Sequence, residues 1–425
     1  MLRNNSDYMK VRSVYTKKDS IGMHGDVASG RLLSKKQSDK AMRVLYVLKH
    51  NPWGRGGGCY ACRGYLEALS EVFAGAAIDA CVCAEYLVGA RTELFPGVRF
   101  IPVEPRGRLQ KMLTPLTQVL HRHQSTVVKL LSERQYDYVV FDHNAIAGSL
   151  AARCRKAGAL TIVINHNCEV EYFGDNVHGV KRRVLLPVVR RNERRSYLEC
   201  DVNIFLTAED RDMFAGIYGQ SQTKAIVGGC FLPRGTQMGS PEKRQSAATA
   251  GRRFTAIISG TIGNVQNMDG IDFFLDELYD ALPPNVEVVI TGQRPPKGFA
   301  DRLKKYDRVT LVPNPDDILS VVREADIFIC PTRTGGGMKL RVIDGLRCGL
   351  PVVAHDVSAR GYSAFFDKDY FFRFTTEEEF AAAVGNLVRS YAAGDINRAA
   401  VIADARRAFS FAEAVSRLNQ AIESK

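Results

Sequence analysis

Asp326 to His355 reads DIFICPTRTGGGMKLRVIDGLRCGLPVVAH, and it passes in order through strand, glycine loop, helix, stop and strand. That alternation is one repeat of an α/β domain of the nucleotide-binding kind. The run Ile327-Phe328-Ile329-Cys330 suits a strand buried on both faces, and Gly349 with Pro351 ends the helix before Val352-Val353. Gly335, Gly336 and Gly337 are expected to leave their N–H groups open at the start of that helix, with Lys339 and Arg341 in its first turn. Such a helix start stabilises an anion such as phosphate. Asp344 follows one turn on, beside Arg341 at spacing i to i+3. A carboxylate there cannot hold phosphate, but it can accept hydrogen bonds from the vicinal hydroxyls of a ribose. The alternative is an ion pair of Asp344 with Arg341 or Arg347 on a solvated face.

The same segment resembles the signature of retaining glycosyltransferases of the GT-B fold, the group usually called family 4. Their pattern is two acids separated by seven residues, then a small residue, an apolar pair and CG-x-PVV. Asp344 falls on the second acid, while Gly336 stands in place of the first. The resemblance implies an α/β fold of two Rossmann-like doubly wound domains facing each other across a cleft. The departure at Gly336 removes the carboxylate that contacts the donor sugar's hydroxyls in those enzymes, whereas the ribose contact survives with an Asp one methylene shorter. The GGGMKLR form, basic after its glycines, resembles a polysaccharide-building branch of the group.

Length and composition fit this reading. At 425 residues and 47.1 kDa, with 45% apolar content, the chain is too long for one ordinary core and suits two domains of roughly 150 to 200 residues. The longest apolar runs, such as Ala159 to Ile164, fall far short of the roughly 18 to 20 residues of a membrane-crossing helix. The first forty residues hold no apolar signal core, so a cytoplasmic location is expected, with peripheral contact at the inner face of the membrane. Ten cysteines lie mostly inside apolar stretches, as reduced buried cysteines do. Cys59-x-x-Cys62, with Cys81-x-Cys83 in a strand-like run, has spacing that also serves redox or zinc chemistry, and ordinary packing is the preferred reading.

Residues 1–41 lack apolar periodicity and read as an extension without regular structure. Residues 42–235 form the expected acceptor-binding domain, with strands at Met42 to Lys49, Tyr138 to Phe141, Leu160 to Asn165 and Val202 to Leu206. Gly56, Gly57 and Gly58 follow the first of these and can bring backbone close to a substrate at the sheet's C-terminal edge. His143 follows the second, and Asn165-His166-Asn167-Cys168-Glu169 follows the third. On the resemblance, His166 matches the family's histidine that contacts the donor near the reacting carbon, and Glu169 matches another family position. The polar, basic stretch 236–253 reads as the linker. Residues 254–395 then give strands at Phe254 to Ser259, Val286 to Thr291, Val309 to Val312, Ile327 to Cys330 and Val352 to Ala354. The run SGTIGNVQNMDGIDFFLDEL resembles the family's first donor-domain loop but lacks its diphosphate-gripping Arg and Lys, which shifts that role to Lys339 and Arg341. The donor set carried by the resemblance is Gly260, Asn267, Gly292, Gly335, Gly336, Gly337, Met338 and Asp344, with His166, Lys339 and Arg341 at the reaction. Residues 396–425 resemble the terminal helix that crosses back to the first domain.

Nearly all of the formal net charge of +12 lies in the first 232 residues, with a cluster at Lys181, Arg182, Arg183, Arg190, Arg191, Arg194 and Arg195 around Val184 to Val189. A basic segment with an apolar centre suits an anionic membrane surface carrying lipid-linked acceptors, and the alternative is a solvated helix with local ion pairs. The function expected from the resemblance is transfer of a sugar from a nucleotide-sugar donor to a glycan or lipid-linked acceptor. Retention and a role in surface polysaccharide or glycoconjugate synthesis are expected with it. No D-x-D pair stands in a convincing loop, so no metal or other cofactor is expected. Two rivals remain. A sugar-nucleotide epimerase on the same fold would need no acceptor, and a nucleic-acid-binding protein would account for the pI near 9.2 but lacks interleaved aromatic and basic residues.

Overall fold

The computed structural model describes residues 41–54, 56–117, 120–239 and 252–423. The first sheet comprises β1 (Arg43–Val47), β2 (Ala77–Cys83), β3 (Val98–Val103), β4 (Tyr138–Phe141), β5 (Leu160–Asn165), β6 (Val202–Phe205) and β7 (Lys224–Val227). All seven run parallel, in the order β3-β2-β1-β4-β5-β6-β7. A second sheet holds β8 (Phe254–Thr261), β9 (Val286–Gln293), β10 (Val309–Pro313), β11 (Ile327–Cys330), β12 (Val352–His355) and β13 (Phe371–Phe374), again parallel, in the order β10-β9-β8-β11-β12-β13. Each order reverses once, between β1 and β4 and between β8 and β11. Ligand crevices form outside the carboxyl ends of strands at such reversals, because neighbouring loops there leave in opposite directions.

The strands read as continuous apolar runs because both faces are covered. In β1, Val44 and Tyr46 enter one core while Leu45 and Val47 enter the other, and all four are buried. In β11, Phe328 and Cys330 face one core and Ile327 and Ile329 the other. Four strands stand outside the expected set, although Cys81-x-Cys83 marked the end of one of them, β2. β3, β7 and β13 border their sheets and carry polar residues such as Arg99, Lys224 and Arg373, which blurs the apolar run. β2 contains Asp79, whose carboxylate is satisfied by Tyr136 Oη (2.6 Å) and Arg99 Nε (2.7 Å), so a charge sits inside a buried strand.

Near the cleft lie α1 (Gly57–Val72), α2 (Glu169–Asn176), which α3 (Gly179–Glu199) follows directly, and α4 (Val265–Phe273). Only the second half of α3 is anchored, through Val188, Val189, Asn192, Glu193, Ser196 and Tyr197, and its first turns are exposed. The last helix, Phe411–Glu423, packs on α1, which belongs to the first sheet. Residues 1–40 and 240–251 lie outside the described residues, so the expected extension and most of the 236–253 linker do too.

Candidate active site

The second domain's wall of the cleft begins where β11 releases residues 331–340, and the helix there spans only Arg341–Arg347. This corrects the expected helix start. Gly335, Gly336, Gly337 and Lys339 all lie in the preceding loop, where Gly335 (φ +78°) and Gly337 (φ +71°) adopt left-handed backbone that no helix can continue. Lys339 is buried and its Nζ donates to the carbonyl oxygens of Gly335 (3.1 Å) and Gly336 (3.0 Å), tying the loop together. Burial, and then the neighbouring Arg341, push its pKa down to about 8. Arg341 lines the cavity with its guanidinium against Gly260 and forms no ion pair among the described residues.

Asp344 also lines the cavity, yet its carboxylate accepts from Arg347 Nε (3.0 Å) and lies 2.8 Å from Arg347 Nη2. The ion pair weighed from sequence therefore exists with Arg347, and burial raises the Asp344 pKa against that pairing. Gly336, Gly337 and Met338 line the cavity, but Gly335 does not, being packed against the Gln266 side chain. A Cβ on Gly336 would lie 3.0 Å from Glu171 Oε2, so a carboxylate from the first domain reaches the place where the missing signature acid would start. At the ends of β8 and β9, Gly260 and Gly292 approach so closely that a Cβ on Gly292 would overlap the Gly260 carbonyl. Gly260 and Asn267 border the cavity, with Asn267 Nδ2 donating to Thr261 O (2.8 Å). Gly292 does not, and its role is this close backbone approach.

The opposite wall is assembled from three strand ends. Lys49 and His50 follow β1, Asp142 and His143 follow β4, and His166 and Glu169 follow β5. His143 Nδ1 accepts the Ala145 N–H (3.2 Å), while its Nε2 faces the Glu169 carboxylate (3.2 Å) and the Lys49 ammonium (2.9 Å). Burial, and then Lys49, lower the His143 pKa to about 4. Glu169 stays well below the usual carboxylate range, because Lys49 at 3.7 Å and His143 outweigh the burial that works to raise it. His166 Nε2 donates to Asp142 Oδ1 (3.1 Å), which is fully buried, and its ring stacks on His143 with centroids 5.5 Å apart. The His50 ring packs on both, and burial drives its pKa down to about 2. Gly56, Gly57 and Gly58 open α1 and border the cavity, so the long helix whose first turn faces this space belongs to the first domain.

Between the walls lies a cavity of about 750 Å³, within the range of small-molecule sites. Sequence reasoning missed Lys49, His50 and Gln266, which line it, and Asp142, which holds His166 from behind. Gln266 could have been found from its place next to Asn267 in the first turn of α4; it is buried, and its Nε2 has no hydrogen-bond partner among the described residues. Lys49, His50 and Asp142 carry no motif, but each stands within three residues after a strand beside the order reversal. The ten cysteines form no disulfide, and among the described residues no group of three or more His, Cys, Asp or Glu is placed to hold a metal ion.

Residues 256–390 match the family model described as Glycosyl transferases group 1. No curated protein matches the chain. Among solved structures, sucrose-phosphate synthase from Thermosynechococcus elongatus superposes with a TM-score of 0.68 at 14% identity, covering 90% of this chain and 98% of that one. WaaG, a glycosyltransferase involved in lipopolysaccharide biosynthesis, gives 0.60 at 13% identity over 90% and 100% of the two chains. HepE of Anabaena, in complex with UDP-glucose, gives 0.61 at 13% identity with the same coverage. These likenesses establish a shared architecture of two parallel sheets flanked by helices.

Proposed function

We propose that this GT-B protein, whose residues 256–390 carry the group 1 glycosyl transferase domain, moves a sugar from a nucleotide donor to an alcohol on a glycan or lipid-linked acceptor. One observation carries the reading: both strand-order reversals open onto a single cavity with a free guanidinium on one wall and a buried histidine network on the other. Arg341 and Lys339 would stabilise the diphosphate as negative charge develops on it. Asp344 would accept from the ribose hydroxyls. His166, held by Asp142, would orient the sugar. In the retaining reaction the bond from the anomeric carbon to phosphate breaks, the acceptor oxygen bonds to that carbon on the same face, and the acceptor proton passes to the departing phosphate. Fixed cations take the place that a divalent ion holds in metal-dependent transferases. Surface polysaccharide or glycoconjugate synthesis is the setting this chemistry suits.

HepE binds UDP-glucose and a pneumococcal transferase was solved with UDP and GlcNAc, so UDP-sugars are the first donors to try. A donor at about a hundred times its dissociation constant should add roughly 2.7 kcal/mol of stability in a thermal melt. Transfer should then appear only when an alcohol acceptor is added, with an α-linked donor giving an α-linked product by proton NMR. Conversion of the donor alone would identify an epimerase instead. Activity that vanishes with EDTA and returns with Mn²⁺ would contradict the metal-free reading.

A further inference from the structure

Most amphipathic stripes face a core, and one here faces water. Leu109, Met112, Leu113 and Leu116 recur at i, i+3, i+4 and i+7 through the short helices Arg108–Met112 and Thr114–Thr117. Leu109, Met112 and Leu116 are 68%, 76% and 80% exposed, whereas Thr114 on the other side is buried and takes a hydrogen bond from Arg106 Nη2 (3.1 Å). The second of these helices packs against α3, whose exposed first turns add Val180 and Val184 to the apolar surface. Charge follows the same surface: residues 105–117 and 178–192 hold Arg106, Arg108, Lys111, Lys181, Arg182, Arg183, Arg190 and Arg191 and no acidic residue.

We infer that this surface docks on an anionic lipid bilayer, with the 109–116 stripe entering the headgroup boundary and the flanking cations meeting lipid phosphates. Its position gives the docking a use. The 104–117 segment leaves β3 at the carboxyl edge of the first sheet, the edge that carries Lys49, His143 and His166, and α3 begins three residues after α2, whose Glu169 and Tyr172 line the cavity. A protein lying on this face brings the cleft to the headgroup layer, where a lipid-linked alcohol would stand. None of its described helices is long and apolar enough to cross the membrane, so contact would be at the surface.

This inference deepens the acceptor half of the proposed function, but its test needs no donor and no transfer, so either can fail alone. The full chain is mixed with phosphatidylcholine vesicles with and without a quarter of phosphatidylglycerol, and the bound fraction is read after sedimentation. Binding should require the anionic lipid. Met112→Asp with Leu116→Asp should weaken it about tenfold or more at unchanged melting temperature and donor affinity, and Lys181→Glu with Arg183→Glu should weaken it comparably. Absence of binding to the anionic vesicles would overturn the inference. So would binding that the Met112 and Leu116 changes leave intact, because attraction would then be electrostatic without insertion.

Discussion

Along the second wall the cleft meets backbone turns and a guanidinium that pairs with no described acid; along the first it meets side chains already bonded to one another. Arg341 lines the cavity and pairs with no described acid, whereas Lys49, His143 and Glu169 satisfy each other, and His166 is held by Asp142. The difference teaches a division of labour. Open donors next to glycine backbone can meet a diphosphate without first breaking a bond. A network that is satisfied before the ligand arrives adds little charge, but it fixes ring positions, which is what orientation of a sugar requires.

The sharpest way to break this contrast is to remove the open cation. Arg341→Ala should lower turnover by about a hundred to a thousandfold, the range for loss of a transition-state donor, with an unchanged melting curve because Arg341 pairs with no described acid. A variant within a few-fold of wild type would mean that charge is stabilised elsewhere. His166→Ala should cost about a hundredfold in turnover with donor KM little altered. Asp142→Asn should move turnover in the same direction, since it loosens the ring it positions. A change confined to KM would assign His166 to uniform binding instead.

Asp344 tests whether the second wall is as open as the contrast claims, because it lines the cavity and is already paired with Arg347. Asp344→Asn should weaken donor affinity by about tenfold to a hundredfold, the worth of a hydrogen bond to a charged group. It should also lower the melting temperature, since Arg347 is 7% exposed and would lose its carboxylate. Adding Arg347→Gln should recover the melt without the affinity. Calorimetry showing unchanged affinity in Asp344→Asn would leave Asp344 a structural partner of Arg347 only.

The same contrast explains what the sequence could disclose. The 326–355 segment was readable as strand, loop, helix and strand because its signals are local: glycines for left-handed turns, an apolar run, a glycine stop. Where the helix starts was not, because Lys339 is bound to the carbonyls of Gly335 and Gly336, a closure that only the folded loop creates. The first wall was readable only at its single residues. His143, His166 and Glu169 stand at or just after strand ends and could be named, but their partners come from other strand ends far away in the chain. Edge strands were hidden for a related reason, since a half-covered strand can carry Arg99 or Lys224 and lose its apolar signature.

A smaller effect separates the walls by pH. With its pKa pushed down to about 8, Lys339 loses most of its proton between pH 7 and pH 9, so donor affinity should fall by about tenfold across that interval. The sign for stability is opposite. The unfolded chain keeps the proton up to about 10.4, so it binds more protons than the folded state between roughly 8 and 10.4, and this group makes the ligand-free fold more stable as pH rises there. Lys339→Arg, which cannot titrate in this range, should flatten the affinity profile. A profile equally steep in that variant would place the titrating group elsewhere.

The smallest effect contrasts two adjacent glycines that touch the first wall differently. A Cβ on Gly336 would come within 3.0 Å of Glu171 Oε2, the far end of a side chain that can swing aside, and the backbone there is not left-handed. Gly336→Ala should therefore change stability by less than about 0.5 kcal/mol, as ordinary surface substitutions do. At Gly337 the backbone is left-handed and a Cβ would meet the His166 carbonyl oxygen at 3.0 Å, a backbone atom that cannot move without shifting the histidine itself. Gly337→Ala should then cost about 1 to 2 kcal/mol in denaturant unfolding and lower turnover along with it. If the two alanines behave alike, the walls are not in register at this loop, and the contact between Gly337 and His166 contributes nothing to holding the histidine in place.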